Sequence, residues 1–345
     1  MVRTVEFSNG DQMPMLGFGT WISTPRNRVD TVKRAIAAGC RFLGLKTQTI
    51  APGDVYGAVK DAIAAGYRHI DCAHIYGNEV KIGRALADSF AEGVVTRDQM
   101  WITSKLWNDA HAPGDVQPAL EETLANLQLD YLDLYLMHWP IAMKKGSSGS
   151  LTSDQLIPLN ELPLLTTWQA MESLIDKGLC RHIGVSNFSI PKLQNLLDHA
   201  RLQPELNQIE LHPYLQQSAM MDFCTANNIQ LTGYSPLGSS DRPDSLKSAN
   251  EPILLEEPTI ATIAQSHGAT SAQVLLSWAM HRGTAVIPKS FNPKRLRQNL
   301  AAVDVALSAE DMNTIQTLDL NRRYVDGAFW QVPEGPYTVE GIWDS

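Results

Sequence analysis

The sequence predicts an α/β chain in which eight parallel strands close into a (β/α)8 barrel, with an N-terminal β-hairpin and an extra helix-strand insertion after the first strand. Three observations carry this. After residue 50, short apolar runs alternate with amphipathic helical stretches, the pattern of parallel βαβ units. With the run at residues 15–21 there are eight such units, the number that closes a barrel filled by its own side chains. No GxGxxG opens a helix after a strand, which disfavours the runner-up, an open doubly wound sheet.

Residues 4–7 and 12–16 flank Ser8-Asn9-Gly10-Asp11, and Asn-Gly between apolar stretches is a hairpin signal. Gly17-Phe18-Gly19-Thr20-Trp21 then ends the first barrel strand in small residues, as where a backbone closely approaches another group. Further strands are expected at 69–73, 100–105, 132–138, 182–186, 206–211, 230–234 and 285–287. Helices are expected from Asp54 to the stop glycine Gly66, and near 116–127, 166–177, 190–199, 217–227 and 271–282, with another beginning near Pro293. Two long connections, 144–150 and 239–250, follow strands and so belong to the C-terminal face, where barrels bind substrates. The Gly/Ser run in the first is equally readable as flexible linker.

Composition bounds the function. Hydrophobic content of 44% with 19% charge is that of a globular chain with a substantial core. A net charge of −9 disfavours nucleic acid or an anionic membrane as main partner. No run approaches the ~18 apolar residues of a membrane span, and no signal peptide is read at the N-terminus. Cys40, Cys72, Cys180 and Cys224 form no CxxC, so reduced thiols in a cytoplasmic protein, without zinc or a disulfide framework, are expected.

Residues 24–50 align with 51–77 at an offset of 27. Pro25, Val32, Lys33, Ala35, Ile36, Ala37, Ala38, Gly39 and Arg41 match Pro52, Val59, Lys60, Ala62, Ile63, Ala64, Ala65, Gly66 and Arg68. Nine identities in one helix-turn-strand unit read as a duplication, natural or engineered. No third copy follows, so the chain is not a solenoid. Where the second copy has Asp71, His74 and Tyr76, the first has Gly44, Thr47 and Thr49. The first copy keeps the packing residues and lacks the polar ones.

Asp71, Lys105 and His138 stand at successive strand ends, 34 and 33 residues apart, one βα unit each. A barrel brings all three to one rim, with Tyr76 overhanging from the next loop. The expectation is that Lys105, paired with Asp71, lowers the pKa of Tyr76. The phenol then serves as proton donor to a carbonyl oxygen that His138 orients. No nucleophile with an adjacent base and no metal-ligand spacing is present. The remaining reactant is a hydride, which side chains cannot supply, so a nicotinamide or flavin is implied. Each residue alone is also compatible with a surface ion pair or a core hydrogen bond. Near the C-terminal end, a strand closes in Pro288-Lys289-Ser290 and a helix begins near Pro293. That is where barrels bind phosphate, and Lys289, Ser290 and Arg295 suit an extra monophosphate, favouring NADP(H) over NAD(H). A capped helix with solvated basic residues is the plainer alternative.

These residues resemble the aldo-keto reductase superfamily, in the aldehyde and aldose reductase manner. GFGTW, RHIDCAHIYGNE, SKLW, LYLMHWP, IGVSNF, NQIELHP, GYSPLG and IPKS…R..QN occur in family order over nearly the whole chain except about 24–50. The resemblance implies an NADP(H)-dependent reductase of aldehydes or ketones that binds its cofactor first. Tyr76 would be the general acid, with Asp71, Lys105 and His138 completing a tetrad. Gly19, Thr20 and Trp21 would border the cofactor. Ser186, Asn187 and Gln208 would hold the carboxamide and Tyr234 would stack on the ring. Ser235, Leu237 and Ser239 would line the pyrophosphate. Lys289, Ser290, Phe291, Arg295, Gln298 and Asn299 would hold the adenosine 2′-phosphate end. Trp21, Trp107, Trp139, Phe329 and Trp330 would wall the substrate site. Phe291 and Gln298 depart from the family's more usual smaller apolar and acidic residues, which bears on the adenine contacts only.

Without the 27-residue repeat the chain would have 318 residues, an ordinary family length. A closed barrel has room for one copy. With the first in the wall, Lys105 would face Gly44, and breaking a buried ion pair costs about 3–5 kcal/mol. NADPH adds about 4 kcal/mol at a thousandfold excess over its dissociation constant. The expectation is therefore one barrel domain over 1–345, the second copy in the wall and 24–50 extruded on the active-site face. The extruded helix has an apolar stripe of Val29, Val32, Ile36, Phe42 and Leu43 to hide; it folds back on its own barrel, pairs with a second chain in a weak dimer, or stays loose on a monomer. The competing outcomes are the first copy in the wall, a nine-stranded barrel, an NADPH-binding barrel whose turnover the insert blocks, and an engineered two-register switch.

Overall fold

The computed structural model describes residues 3–21, 54–147, 151–248 and 250–345. The repeat at 24–50 and Cys40 lie outside them. Strands β1 (Thr4–Glu6) and β2 (Gln12–Pro14) pair antiparallel about Val5 and Met13, and Gly10, at φ +89°, makes the turn. Phe7, just past β1, packs its ring 5.1 Å from that of Trp101 and 4.3 Å from that of His182. Both partners lie toward the N-terminal ends of barrel strands, so the hairpin rests on the end opposite the strands' C-terminal rim.

The barrel strands are β3 (Phe18–Gly19), β4 (His69–Asp71), β5 (Trp101–Leu106) and β6 (Leu132–Met137). A small antiparallel pair, β7 (Ala142–Met143) and β8 (Leu156–Ile157), occupies the long connection after β6. The barrel continues with β9 (Cys180–Ser186), β10 (Leu206–Glu210), β11 (Gln230–Tyr234) and β12 (Ala285–Val286). The eight lie in the order β12-β11-β10-β9-β6-β5-β4-β3, parallel throughout. The two edges meet, because Gly17 N donates to Val286 O at 2.8 Å and Val286 N to Met15 O at 2.6 Å. The α/β fold is thus that expected of a (β/α)8 barrel. The place between β3 and β5 is taken by His69–Asp71: Phe18 pairs with Ile70, and Ile70 with Ile102.

Among the described residues, helices α1 (Val55–Ala65), α2 (Glu79–Ala91), α3 (Pro113–Leu127), α4 (Leu164–Asp176), α5 (Ile190–His199) and α6 (Ser218–Ala226) come first. They are followed by α7 (Pro258–Ser266), α8 (Ser271–His281), α9 (Pro293–Leu300), α10 (Ala309–Gln316) and α11 (Val339–Trp343). In α1 the buried side chains Val55, Ala58, Val59, Ala62 and Ile63 recur at helical spacing, and Gly66 at φ +113° ends it. The α2 helix escapes sequence reading because Glu79, Gly83 and Ser89 share its buried face while Val80 is exposed, which blurs the apolar period.

Besides the main core there is a second apolar cluster. Trp139, Ile141, Met143 and Leu156 from the β6–β8 region pack with Trp330, Tyr337 and Ile342 of the C-terminal tail. The Tyr337 hydroxyl stitches the two together, donating to Ile157 O at 2.6 Å and accepting from Ala142 N at 2.9 Å. The connection after β6 is therefore a packed hairpin on its described residues. No helix among the described residues is long and apolar enough to cross a membrane.

Candidate active site

Asp71 ends β4, Lys105 lies next to the end of β5, and His138 follows β6, so neighbouring parallel strands deliver all three to one rim. Lys105 Nζ donates to Asp71 Oδ1 at 2.5 Å and to the Cys72 carbonyl at 2.8 Å. The two side chains are 0% and 2% exposed, so the ammonium is paired rather than stranded. The other Asp71 oxygen accepts from Gln208 Nε2 at 2.7 Å, which ties β4 to β10 across the barrel.

Tyr76 occupies a single turn, His74–Tyr76, directly after β4. Its ring stands edge-on to that of His138 at 6.0 Å, with the Lys105 ammonium 5.5 Å from its centroid. Burial first, and the Asp71 carboxylate second, hold its hydroxyl well above the ordinary phenol value. This corrects the expectation of a lowered phenol. The Lys105 charge is taken up by Asp71 and the Cys72 carbonyl, so loss of hydration governs the hydroxyl. Burial, then Lys105 and His111, hold His138 well below the ordinary imidazole value. A neutral imidazole and a protonated phenol, both donors, thus face one space.

That space is a cleft of about 1060 Å³. At one end it is walled by Trp21, Trp107, Trp139 and Phe329. Trp330 stands behind this wall, 4% exposed, with its ring 5.7 Å from that of Trp107 and 6.0 Å from that of Trp139. Gly19, Thr20, Asp71, Tyr76 and His138 line the floor, and Lys105 lies beneath it. Gly19 has to be glycine, because a Cβ there would sit 2.6 Å from the Ile287 carbonyl oxygen.

Ser186, Asn187, Gln208 and Tyr234 form the middle. Asn187, at φ +63°, is held by its own side chain. Its Nδ2 donates to His138 O at 3.0 Å and Ser186 Oγ at 3.2 Å, and its Oδ1 accepts from the Tyr234 hydroxyl at 2.8 Å. Ser186 Oγ donates to Gln208 O at 2.8 Å. Beyond these come Ser235, Leu237 and Ser239, and at the far end Lys289, Ser290, Phe291, Arg295, Gln298 and Asn299. Asn292 caps α9 there, accepting from Lys294 N at 2.9 Å and Arg295 N at 3.2 Å.

Sequence reading missed several lining residues. Asp241, from the loop after β11, forms an ion pair with Lys289 of the loop after β12, joining the two sides of the cleft. The signal available was a carboxylate near the start of a Ser-rich loop that follows a strand. Val325, Ile75 and the start of α8 also line the cleft and carried no local signal.

The aldo/keto reductase family model matches residues 35–320. An aldo/keto reductase of Synechocystis sp. is 50% identical over 337 residues, 98% of this chain and 95% of that protein. Aldo-keto reductase family 1 member A1 of Mus musculus is 42% identical over 324 residues, covering 93% of this chain and 91% of the relative. The Homo sapiens protein of the same name is 42% identical over 318 residues, covering 92% and 89%. The family model spans β4 to β12 and the relatives cover more than nine-tenths of the chain, and on that footing the chain belongs to the aldo/keto reductase family, as an oxidoreductase of carbonyl compounds.

Proposed function

We propose that the protein reduces aldehydes and ketones to alcohols with NADPH, the proton coming from Tyr76. The observation that carries this is the buried Asp71–Lys105 pair beneath Tyr76 and His138, at the floor of a cleft whose far end is basic. The donor set fits the cofactor. The amides of Asn187 and Gln208 with Ser186 suit a carboxamide, Tyr234 offers a ring face, and Ser235, Leu237 and Ser239 border the stretch a pyrophosphate would cross. Lys289, Ser290, Arg295 and Asn299 suit an additional phosphate, Arg295 as a bidentate donor. When bound, NADPH supplies the hydride that no side chain can.

The chain's own residues do the rest. The His138 imidazole donates a hydrogen bond to the substrate oxygen and sets its direction. As negative charge develops on that oxygen, the Tyr76 hydroxyl, protonated at neutral pH and with the Lys105 ammonium 5.5 Å from its ring centroid, delivers its proton to it. Asp71, gripped by Lys105 and Gln208, keeps that ammonium in place. Trp21, Trp107, Trp139 and Phe329 exclude water and favour apolar or aromatic carbonyls.

The reading includes a cytoplasmic location, supported by Cys72, Cys180 and Cys224 being free and buried. It includes a single barrel domain over 1–345. It also treats 24–50 as a duplicate of 51–77 extruded on the active-site face. The nine identities support this, as does the occupation of the slot between β3 and β5 by His69–Asp71. Carbonyl-dependent NADPH oxidation by the purified chain, with quenching of tryptophan fluorescence by NADPH, tests the reading. Oxidation together with quenching supports the reductase. Quenching without oxidation of NADPH by any carbonyl would favour a binding barrel blocked beside Trp21, where the insertion begins.

A further inference from the structure

The C-terminal tail contributes Val325 and Phe329 to the substrate end of the cleft, and one buried carboxylate fastens its start. Glu210 is the last residue of β10 and 0% exposed. Its Oε1 accepts from the Tyr324 backbone N–H at 2.6 Å and from His212 Nε2 at 2.9 Å. Its Oε2 accepts from the Val325 N–H at 2.8 Å. A fully buried carboxylate is costly unless its oxygens are satisfied by donors, and here two consecutive tail amides and an imidazole supply them. Burial alone would raise the Glu210 carboxyl; His212 and the two amides outweigh it and hold the group below its ordinary value, so it is the ionised acceptor at neutral pH.

Glu210 lies two residues beyond Gln208, whose amide holds Asp71, and alternate strand residues share a face. One strand therefore sets both the catalytic carboxylate and the wall opposite it. The tail's start is also held by the Tyr324 hydroxyl, which donates to Pro252 O at 2.6 Å, and by Arg322 N, which donates to Tyr214 O at 2.8 Å, but neither bond fixes the Tyr324 and Val325 amides. Farther along the chain are the Tyr337 hydroxyl, and Lys192 Nζ, which caps α11 through Gly341 O at 2.9 Å and Ile342 O at 3.0 Å.

We infer that Glu210 is a positioning residue for substrate specificity, holding the tail's first turn so that Val325 and Phe329 close the pocket around bulky carbonyls. The substrate part of this inference rests on the reductase reading; the anchoring itself does not. Glu210→Gln keeps the shape of the side chain but presents an amide N–H where a donor already points, weakening at least one charge-assisted hydrogen bond. With a bulky aromatic ketone, KM should rise about tenfold with kcat little changed, the loss of one such bond. With a small aliphatic aldehyde, which does not reach the tail, KM should stay within about twofold. Hydrogen exchange of the Tyr324 and Val325 amides, slow in the wild type, should accelerate in the variant. If Glu210→Gln does not fold, Glu210→Asp retains the charge with a shorter reach and should show the same KM split, smaller in size.

Parallel kinetic losses on both substrates, or unchanged exchange at the two amides in the folded variant, would overturn the inference. Should the wild-type chain reduce no carbonyl, the reductase reading fails, and the exchange measurement still decides whether Glu210 anchors the tail.

Discussion

Lys105 is fully buried, and its charge is tolerated because Asp71 and the Cys72 carbonyl share it. Asp71→Asn should therefore cost about 3–5 kcal/mol of stability by chemical denaturation, the effect of leaving one member of a buried pair uncompensated. A cost under about 1 kcal/mol, the worth of an exposed pair, would place the charge in water. The raised phenol of Tyr76 makes a second residue-scale prediction. Reduction needs the protonated form, so kcat/KM should stay level through neutral pH and decline only above the ordinary phenol range. A decline setting in near pH 7, about three units lower, would mean a lowered phenol after all. The set Asp71, Lys105 and His138 was legible because one βα unit separates each from the next. The direction of the Tyr76 shift was not, because it depends on who shares the Lys105 charge and on depth. Nor was the Gln208 contact with Asp71, made across 137 positions of sequence.

Among the elements, the N-terminal hairpin is fixed to the barrel by a histidine. His182 of β9 is 1% exposed, with Nε2 3.0 Å from Asp11 Oδ2 of the hairpin loop and Nδ1 3.0 Å from Glu205 Oε2. The rings of Phe7 and Trp101 lie against it, and Arg181 is the neighbouring cation acting on Asp11. Burial alone would lower the imidazole, but the two carboxylates prevail and raise it above its ordinary value. A pKa raised on folding adds stability that is complete below the unfolded value near 6.5 and is lost as pH rises through the folded value. Asp11 shifts the other way, so its contribution is present above the ordinary carboxylate value and lost as pH falls through the lower folded one. The share of stability that His182 carries should thus decline as pH rises past about 6.5, while the buried imidazoles of His69, His111 and His138, lowered by desolvation, act in the opposite sense. In thermal unfolding, His182→Gln should therefore make the slope of stability against pH more positive than in the wild type. An unchanged slope would remove the histidine from the account. Hairpin and strands were legible from Asn9-Gly10 and the short apolar runs. The α2 helix was not, since Glu79, with its oxygens on Ser104 and Thr123 at 2.6 and 3.2 Å, takes a place the pattern reserves for an apolar side chain.

For the whole molecule, the count of eight βα units made the barrel readable, and the two hydrogen bonds joining Met15–Gly17 to Val286 close it. The second apolar cluster was not readable, because residues 139–156 and 330–342 have no local feature that pairs them. If the second copy builds the wall, deleting 24–50 should give a 318-residue chain that folds and keeps its NADPH-dependent turnover. Deleting 51–77 removes Asp71 and Tyr76 and should abolish turnover. Equal activity of the two deletions would mean that the copies are interchangeable in the barrel. The most direct test of the central claim is steady-state NADPH oxidation with an aromatic aldehyde by the wild type and by Tyr76→Phe, alongside NADPH binding by fluorescence. The account predicts that the variant binds NADPH as the wild type does while kcat falls by about 10²-fold or more, the share of a positioned general acid. A variant that turns over at the wild-type rate would contradict it.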